Sequence, residues 1–164
     1  MNIKISFISL GCDKNLVDSE VMLGLLRDKG YTLINDETEA DVIVVNTCGF
    51  IQDAKEESIG TIIEMGQYKE NGKCKALIVT GCLAQRYQDE LIKEMPEIDA
   101  ILGVSNYDKV IEAVESVLDN KKYVAFEDND HVPEEYINRV ISSTGYSAYL
   151  KIAEGCDNHC TYCI

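Results

Sequence analysis

Apolar and polar positions along this chain follow two alternating periods. Short apolar runs rich in branched residues occur at Ile3–Leu10, Tyr31–Ile34, Val42–Asn46, Ala76–Thr80 and Ile98–Leu102, and each reads as a strand. The unbroken Val42–Asn46 run implies burial on both faces. Between the runs the spacing becomes helical. Lys14–Lys29 places Val17, Val21 and Leu25 on one stripe beside Met22 and Leu26. Asp13 or Asn15 stands where it can cap that helix, and Gly30 sits at its expected end. Gln52–Tyr68 is a second helix, with Ile51, Ala54, Ser58, Ile62 and Met65 along its inner side, and Asn71–Gly72 is a turn. Gln85–Met95 is a third helix, stopped by Pro96, and Asn106–Leu118 a fourth, with Val110, Ile111, Val114, Val117 and Leu118 at helical spacing.

The resulting order, β-α-β-β-α-β-α-β-α, predicts an α/β fold: a doubly wound, flavodoxin-like parallel sheet with strand order 2-1-3-4-5. The stretch between the second and third strands is too short and polar for a full helix. One domain is expected over residues 1–121 and an acidic, weakly patterned linker over 122–146. Ala148–Ile152 is then expected as the first strand of a second unit, residues 147–164, cut soon after it begins.

A length of 164 residues suits one good core and part of a second unit. No apolar stretch approaches the roughly 20 residues of a membrane span. The opening MNIKISFISLGC lacks the length and cleavage site of a signal sequence, so a cytoplasmic protein with no membrane contact is expected. The net charge is −14, spread over the helices. Such a charge keeps a surface solvated; it also repels nucleic acid and suits a basic protein partner.

Seven cysteines in a reducing compartment point to metal or redox chemistry rather than disulfides. Cys12, Cys48 and Cys82 are far apart in sequence, yet each follows a predicted strand through a Gly or Thr. In parallel sheets chemistry gathers at the carboxyl ends of strands, and the order 2-1-3-4-5 makes the first, third and fourth strands neighbours, about 4.8 Å apart. Three thiols converging there suit an iron–sulfur cluster with one iron left open, and Gly11, Gly49 and Gly81 let backbone approach it. The alternative is three cysteines acting as small buried hydrophobes. Cys74 precedes its strand and is expected at the opposite edge of the sheet, about 16 Å from Cys82, as an ordinary thiol. A second group, Cys156, Cys160 and Cys163, is compact. It lacks the paired C-x-x-C sets of zinc sites, and His159 is awkwardly placed as a fourth ligand, so a 4Fe–4S cluster with an open iron fits better.

The C-x-x-x-C-x-aromatic-C pattern of Cys156, Cys160, Tyr162 and Cys163 resembles the signature of radical S-adenosylmethionine enzymes. In that superfamily the open iron binds S-adenosylmethionine, electron transfer cleaves it to a 5′-deoxyadenosyl radical, and the residue matching Tyr162 lies near the adenine. The stretches SLGCDKNLVDSE, DVIVVNTCGFIQDAKEESI and VTGCLAQRYQDEL resemble the N-terminal domain of radical methylthiotransferases, most closely the ribosomal-protein-modifying RimO branch. The resemblance covers most of the chain. It implies an auxiliary 4Fe–4S cluster on Cys12, Cys48 and Cys82, a second on Cys156, Cys160 and Cys163, and methylthio transfer to the β-carbon of an aspartate in a small-subunit ribosomal protein, with an electron donor as further partner. It also implies that the 147–164 unit is the first strand and cluster loop of a radical-SAM partial barrel. The remaining barrel and an RNA-binding-type domain are expected beyond this piece, which alone should not turn over. Asp13 stands where many members carry proline, and His159 where arginine is common; neither is a ligand.

Three rivals remain at this stage. The tRNA-adenosine branch tends to carry Gln-x-Asn after the first cysteine, whereas this chain has Asp13–Lys14–Asn15. A flavodoxin-like phosphate-cofactor module needs a loop rich in Gly, Ser and Thr, and GCDKN is poor in them. A non-catalytic zinc module would bind zinc without acid-labile sulfide.

Overall fold

A computed structural model describes residues 3–126, 138–143 and 145–161. Six parallel strands form one sheet: β1 (Lys4–Ser9), β2 (Thr32–Ile34), β3 (Val42–Thr47), β4 (Ala76–Gly81), β5 (Ala100–Leu102) and β6 (Tyr123–Ala125), in the order β2-β1-β3-β4-β5-β6. The expected five-strand order is present. β6 is an addition: the expected linker starts at residue 122, but Tyr123–Ala125 pairs with β5 in register, Ile101 opposite Val124. With three residues its period is too short to stand out from the acidic stretch that follows it.

The central strands β3 and β4 are buried along their whole length, as an apolar run flanked by helices on both faces must be. Side chains alternate between two layers. Val42, Val44, Ile78 and Leu102 face α1 (Asp13–Asp28) and α5 (Val110–Leu118). Ile43, Val45, Leu77, Val79 and Ile101 face α2 (Gln52–Asn71), α3 (Cys82–Arg86) and α4 (Gln88–Glu94). The steps β1 to β2 and β5 to β6 run in opposite directions across the sheet, yet their helices α1 and α5 share a face. The last crossover therefore has the opposite hand to the first, a rare arrangement in parallel sheets.

Other expectations are corrected. The single helix over Gln85–Met95 is two, broken at Tyr87, whose backbone leaves helical geometry (φ −122°, ψ 35°). The helix over Asn106–Leu118 starts as a 3₁₀ segment, Val104–Lys109, and becomes α-helical only at Val110. Ala148–Ile152 is irregular rather than a strand, because no described strand lies beside it to complete a ladder. On α2, Ser58, Ile62 and Met65 face inward as predicted, but Ile51 is exposed. Asp13 and Asn15 do not cap α1: Cys12 is its N-cap residue and no side chain closes that end. Gly30 does end the helix, in the left-handed conformation (φ +96°) that favours glycine.

Candidate metal centre at the strand ends

The sheet order reverses between β1 and β3, and at such a point the connections diverge to opposite faces and leave a crevice. Cys12 leaves β1 into α1, Cys48 follows β3, and Cys82 opens α3 directly after β4. Topology thus brings all three predicted thiols to one rim. Cys48 is buried, Cys82 half-buried and Cys12 exposed, so the group runs from the core to the surface.

One amide ties the three loops together. Asn15, on the first turn of α1 and 2% exposed, donates through Nδ2 to Leu10 O (3.1 Å) and Thr47 O (3.0 Å). Its Oδ1 accepts the Cys82 thiol at 3.6 Å. Its backbone carbonyl receives Asn46 Nδ2 (3.0 Å) and Ser19 Oγ (2.9 Å), so the amide is held from behind. Cys48 is fixed separately: Ser58 Oγ accepts from its N–H (3.0 Å) and donates to its carbonyl (2.9 Å). These polar residues were not singled out as site residues from the sequence. The only trace there is that Asn15 and Ser19 are one helical turn apart on a face that should be apolar.

Two glycines are required by close approach. A Cβ on Gly11 (φ +92°) would lie 2.7 Å from Cys48 Cβ and 2.9 Å from its Sγ. A Cβ on Gly81 (φ +96°) would lie 2.4 Å from Thr47 O. Both contacts are shorter than side chains tolerate, so these positions keep the cysteine loops in touch.

Burial pushes the Cys82 thiol up from its ordinary value of 9.0, and the neighbouring Cys48 and Cys12 charges push it further, against the pull of Lys14. Three thiolates here would repel one another, so the site favours bound protons until cations replace them. Among the described residues, no three His, Cys, Asp or Glu side chains stand at the spacing of ligands to one metal ion. A cluster makes a different demand, since each thiolate binds its own iron at a corner of a larger body. Sulfur-only donors on three separate loops, with glycine backbone between them, fit a cluster better than a single ion.

Cys74 lies elsewhere. It precedes β4, is packed among Ile43, Leu77 and Ile98 in the layer under α2, and donates its thiol to Ala76 O at 3.2 Å. In the second group, Cys156 and Cys160 are exposed on an irregular segment, and Asn158 Nδ2 lies 3.9 Å from Cys156 Sγ. Cys163 and Tyr162 fall outside the described residues. None of the described helices is long and apolar enough to cross a membrane.

A family model described as Uncharacterized protein family UPF0004 matches residues 4–103, which hold the whole first cysteine group. The chain belongs to this family. Among similar curated proteins, the chain is 62% identical over 161 residues to a protein of Lachnoclostridium phytofermentans named Ribosomal protein uS12 methylthiotransferase RimO. It is 58% identical over 160 residues to a protein of that name from Desulforamulus reducens, and 54% over 162 residues to one from Clostridioides difficile. These matches cover 98%, 97% and 99% of this chain but only 37%, 36% and 36% of the relatives, so it spans little more than a third of their length. A de novo designed Rossmann 2x3 protein overlaps 80% of the chain and all of its own, at 19% identity and a TM-score of 0.43; the fold rests on the strand pairing itself.

Proposed function

We propose that this chain is the auxiliary-cluster part of a radical S-adenosylmethionine methylthiotransferase that modifies an aspartate of the small-subunit ribosomal protein uS12. The observation that carries the proposal is the meeting of Cys12, Cys48 and Cys82 at adjacent strand ends, with Asn15 bonded to all three connections. The high identity to proteins named for this activity supports the substrate, and the acidic surface suits a basic ribosomal protein.

In this reading Cys12, Cys48 and Cys82 hold one 4Fe–4S cluster. Cys156, Cys160 and Cys163 would hold the other, Tyr162 would help bind S-adenosylmethionine, and residues 147–164 would open the radical domain. When bound, these groups would supply the radical that removes a hydrogen atom from an unactivated carbon and the methylthio group that replaces it. The chain's own contribution is positional. Asn15 and Ser58 fix the loops, Gly11 and Gly81 keep them in contact, and the thiols release their protons as iron binds.

Full-length protein, reconstituted anaerobically and given S-adenosylmethionine and a reductant, tests this against uS12 and tRNA offered together. Mass spectrometry should find one methylthio group on a uS12 aspartate. Label on a tRNA adenosine, or on neither, would overturn the assignment.

A further inference from the structure

The segment that leads into the second cysteine group is seated on α1 in an inverted way. Leu150 and Ile152 are 81% and 90% exposed, while the Lys151 side chain between them is only 14% exposed. Its ammonium is paired with Asp18 of α1, itself 4% exposed, and lies 2.5 Å from a Glu154 oxygen and 4.8 Å from the centre of the Tyr107 ring. Burial alone pulls Lys151 down, but its bonds to Asp18 and Glu154 raise it above its ordinary 10.5, so it stays charged. Lys14 closes the arrangement by donating to Glu154 O at 2.8 Å, with its carboxylate at 3.6 Å.

The positions of these partners matter more than their number. Lys14 and Asp18 lie on the first turns of α1, directly after Cys12, and both act electrostatically on Cys82. Glu154 is two residues before Cys156. Residues 147–154 have no strand or helix of their own, so side-chain contacts rather than a backbone ladder set their register. Burying an ion pair is costly and adds little net stability, so it is better suited to fixing one arrangement.

We propose that Lys151 is a positioning residue: clamped between Asp18 and Glu154, it fixes the segment entering the second cysteine group on the turns of α1 that follow Cys12. This rests on the reading that both cysteine groups hold clusters acting on one substrate. Its contacts are with Asp18, Glu154 and Tyr107, and it acts by holding the two groups in register.

The test uses the full-length enzyme with K151M, D18N, the double variant and K151R. K151M and D18N should load iron and sulfide normally and cleave S-adenosylmethionine within about twofold of wild type. Methylthio transfer per cleavage should fall about tenfold or more, since a misplaced group uncouples chemistry from its trigger. The double variant should be no worse than K151M, and K151R should retain most of the transfer. Transfer per cleavage unchanged in K151M, or falling only in step with iron, overturns the proposal. Limited proteolysis with thermolysin judges the seat independently of activity. Cleavage within residues 147–154 should speed up about tenfold in K151M, and an unchanged rate also overturns the proposal. Inactive wild type with K151M cleavage still raised would instead fault the assigned function.

Discussion

Asn15 gives the site its shape at the scale of single residues. Leucine there would fill similar space but leave the Leu10 and Thr47 carbonyls without their donor. Each buried acceptor left unmet costs about 1–3 kcal/mol, so Asn15→Leu should lower stability by about 2–4 kcal/mol, readable by urea titration of the full-length protein. Gly81→Ala should also be harmful, by about 1–3 kcal/mol, because its backbone is left-handed and the new Cβ meets the Thr47 carbonyl. Cys74 behaves differently. Burial raises its thiol above the ordinary 9.0, so above that pH the unfolded chain releases the proton first. The native state therefore loses stability as pH climbs from about 9 towards the folded value, and Cys74→Ala should flatten that part of the pH–stability curve.

Helix α1 shows, at the scale of elements, what the sequence could and could not reveal. Its apolar stripe is visible because the period is regular: Val17, Val21 and Met22 are all buried, and Val21, Met22 and Leu26 pack under the sheet. Its polar residues looked like a solvated face. Asp18 and Glu20 are in fact buried, because later residues lie against them: Lys151 pairs with Asp18, Arg139 reaches the Glu20 carboxylate at 3.4 Å, and Ser142 donates to it twice. A contact more than a hundred residues away leaves no local period, so this seat was invisible in the sequence. The thiol rim was legible for the opposite reason: strand, glycine or threonine, then cysteine is a local pattern, and parallel topology converts three copies of it into one place. On the other face, Ile62 of α2 is completely buried. Ile62→Ala should cost about 2–5 kcal/mol and leave the thiol rim intact, since Ile62 lies in the layer away from Asn15.

The whole molecule is a sheet whose switch point faces a group of thiols, with the later part of the chain strapped over the helix that starts there. Edge strand β6 extends the sheet away from that crevice. The central claim is that Cys12, Cys48 and Cys82 jointly hold a cluster and Cys74 does not. Iron and acid-labile sulfide analysis measures this most directly, on full-length protein in which Cys156, Cys160 and Cys163 are all alanine. About four irons and four sulfides per chain should remain in that background and with Cys74→Ala added, and should vanish with any one of C12A, C48A or C82A. Zinc without sulfide, or loss of iron on removing Cys74 alone, would contradict the account.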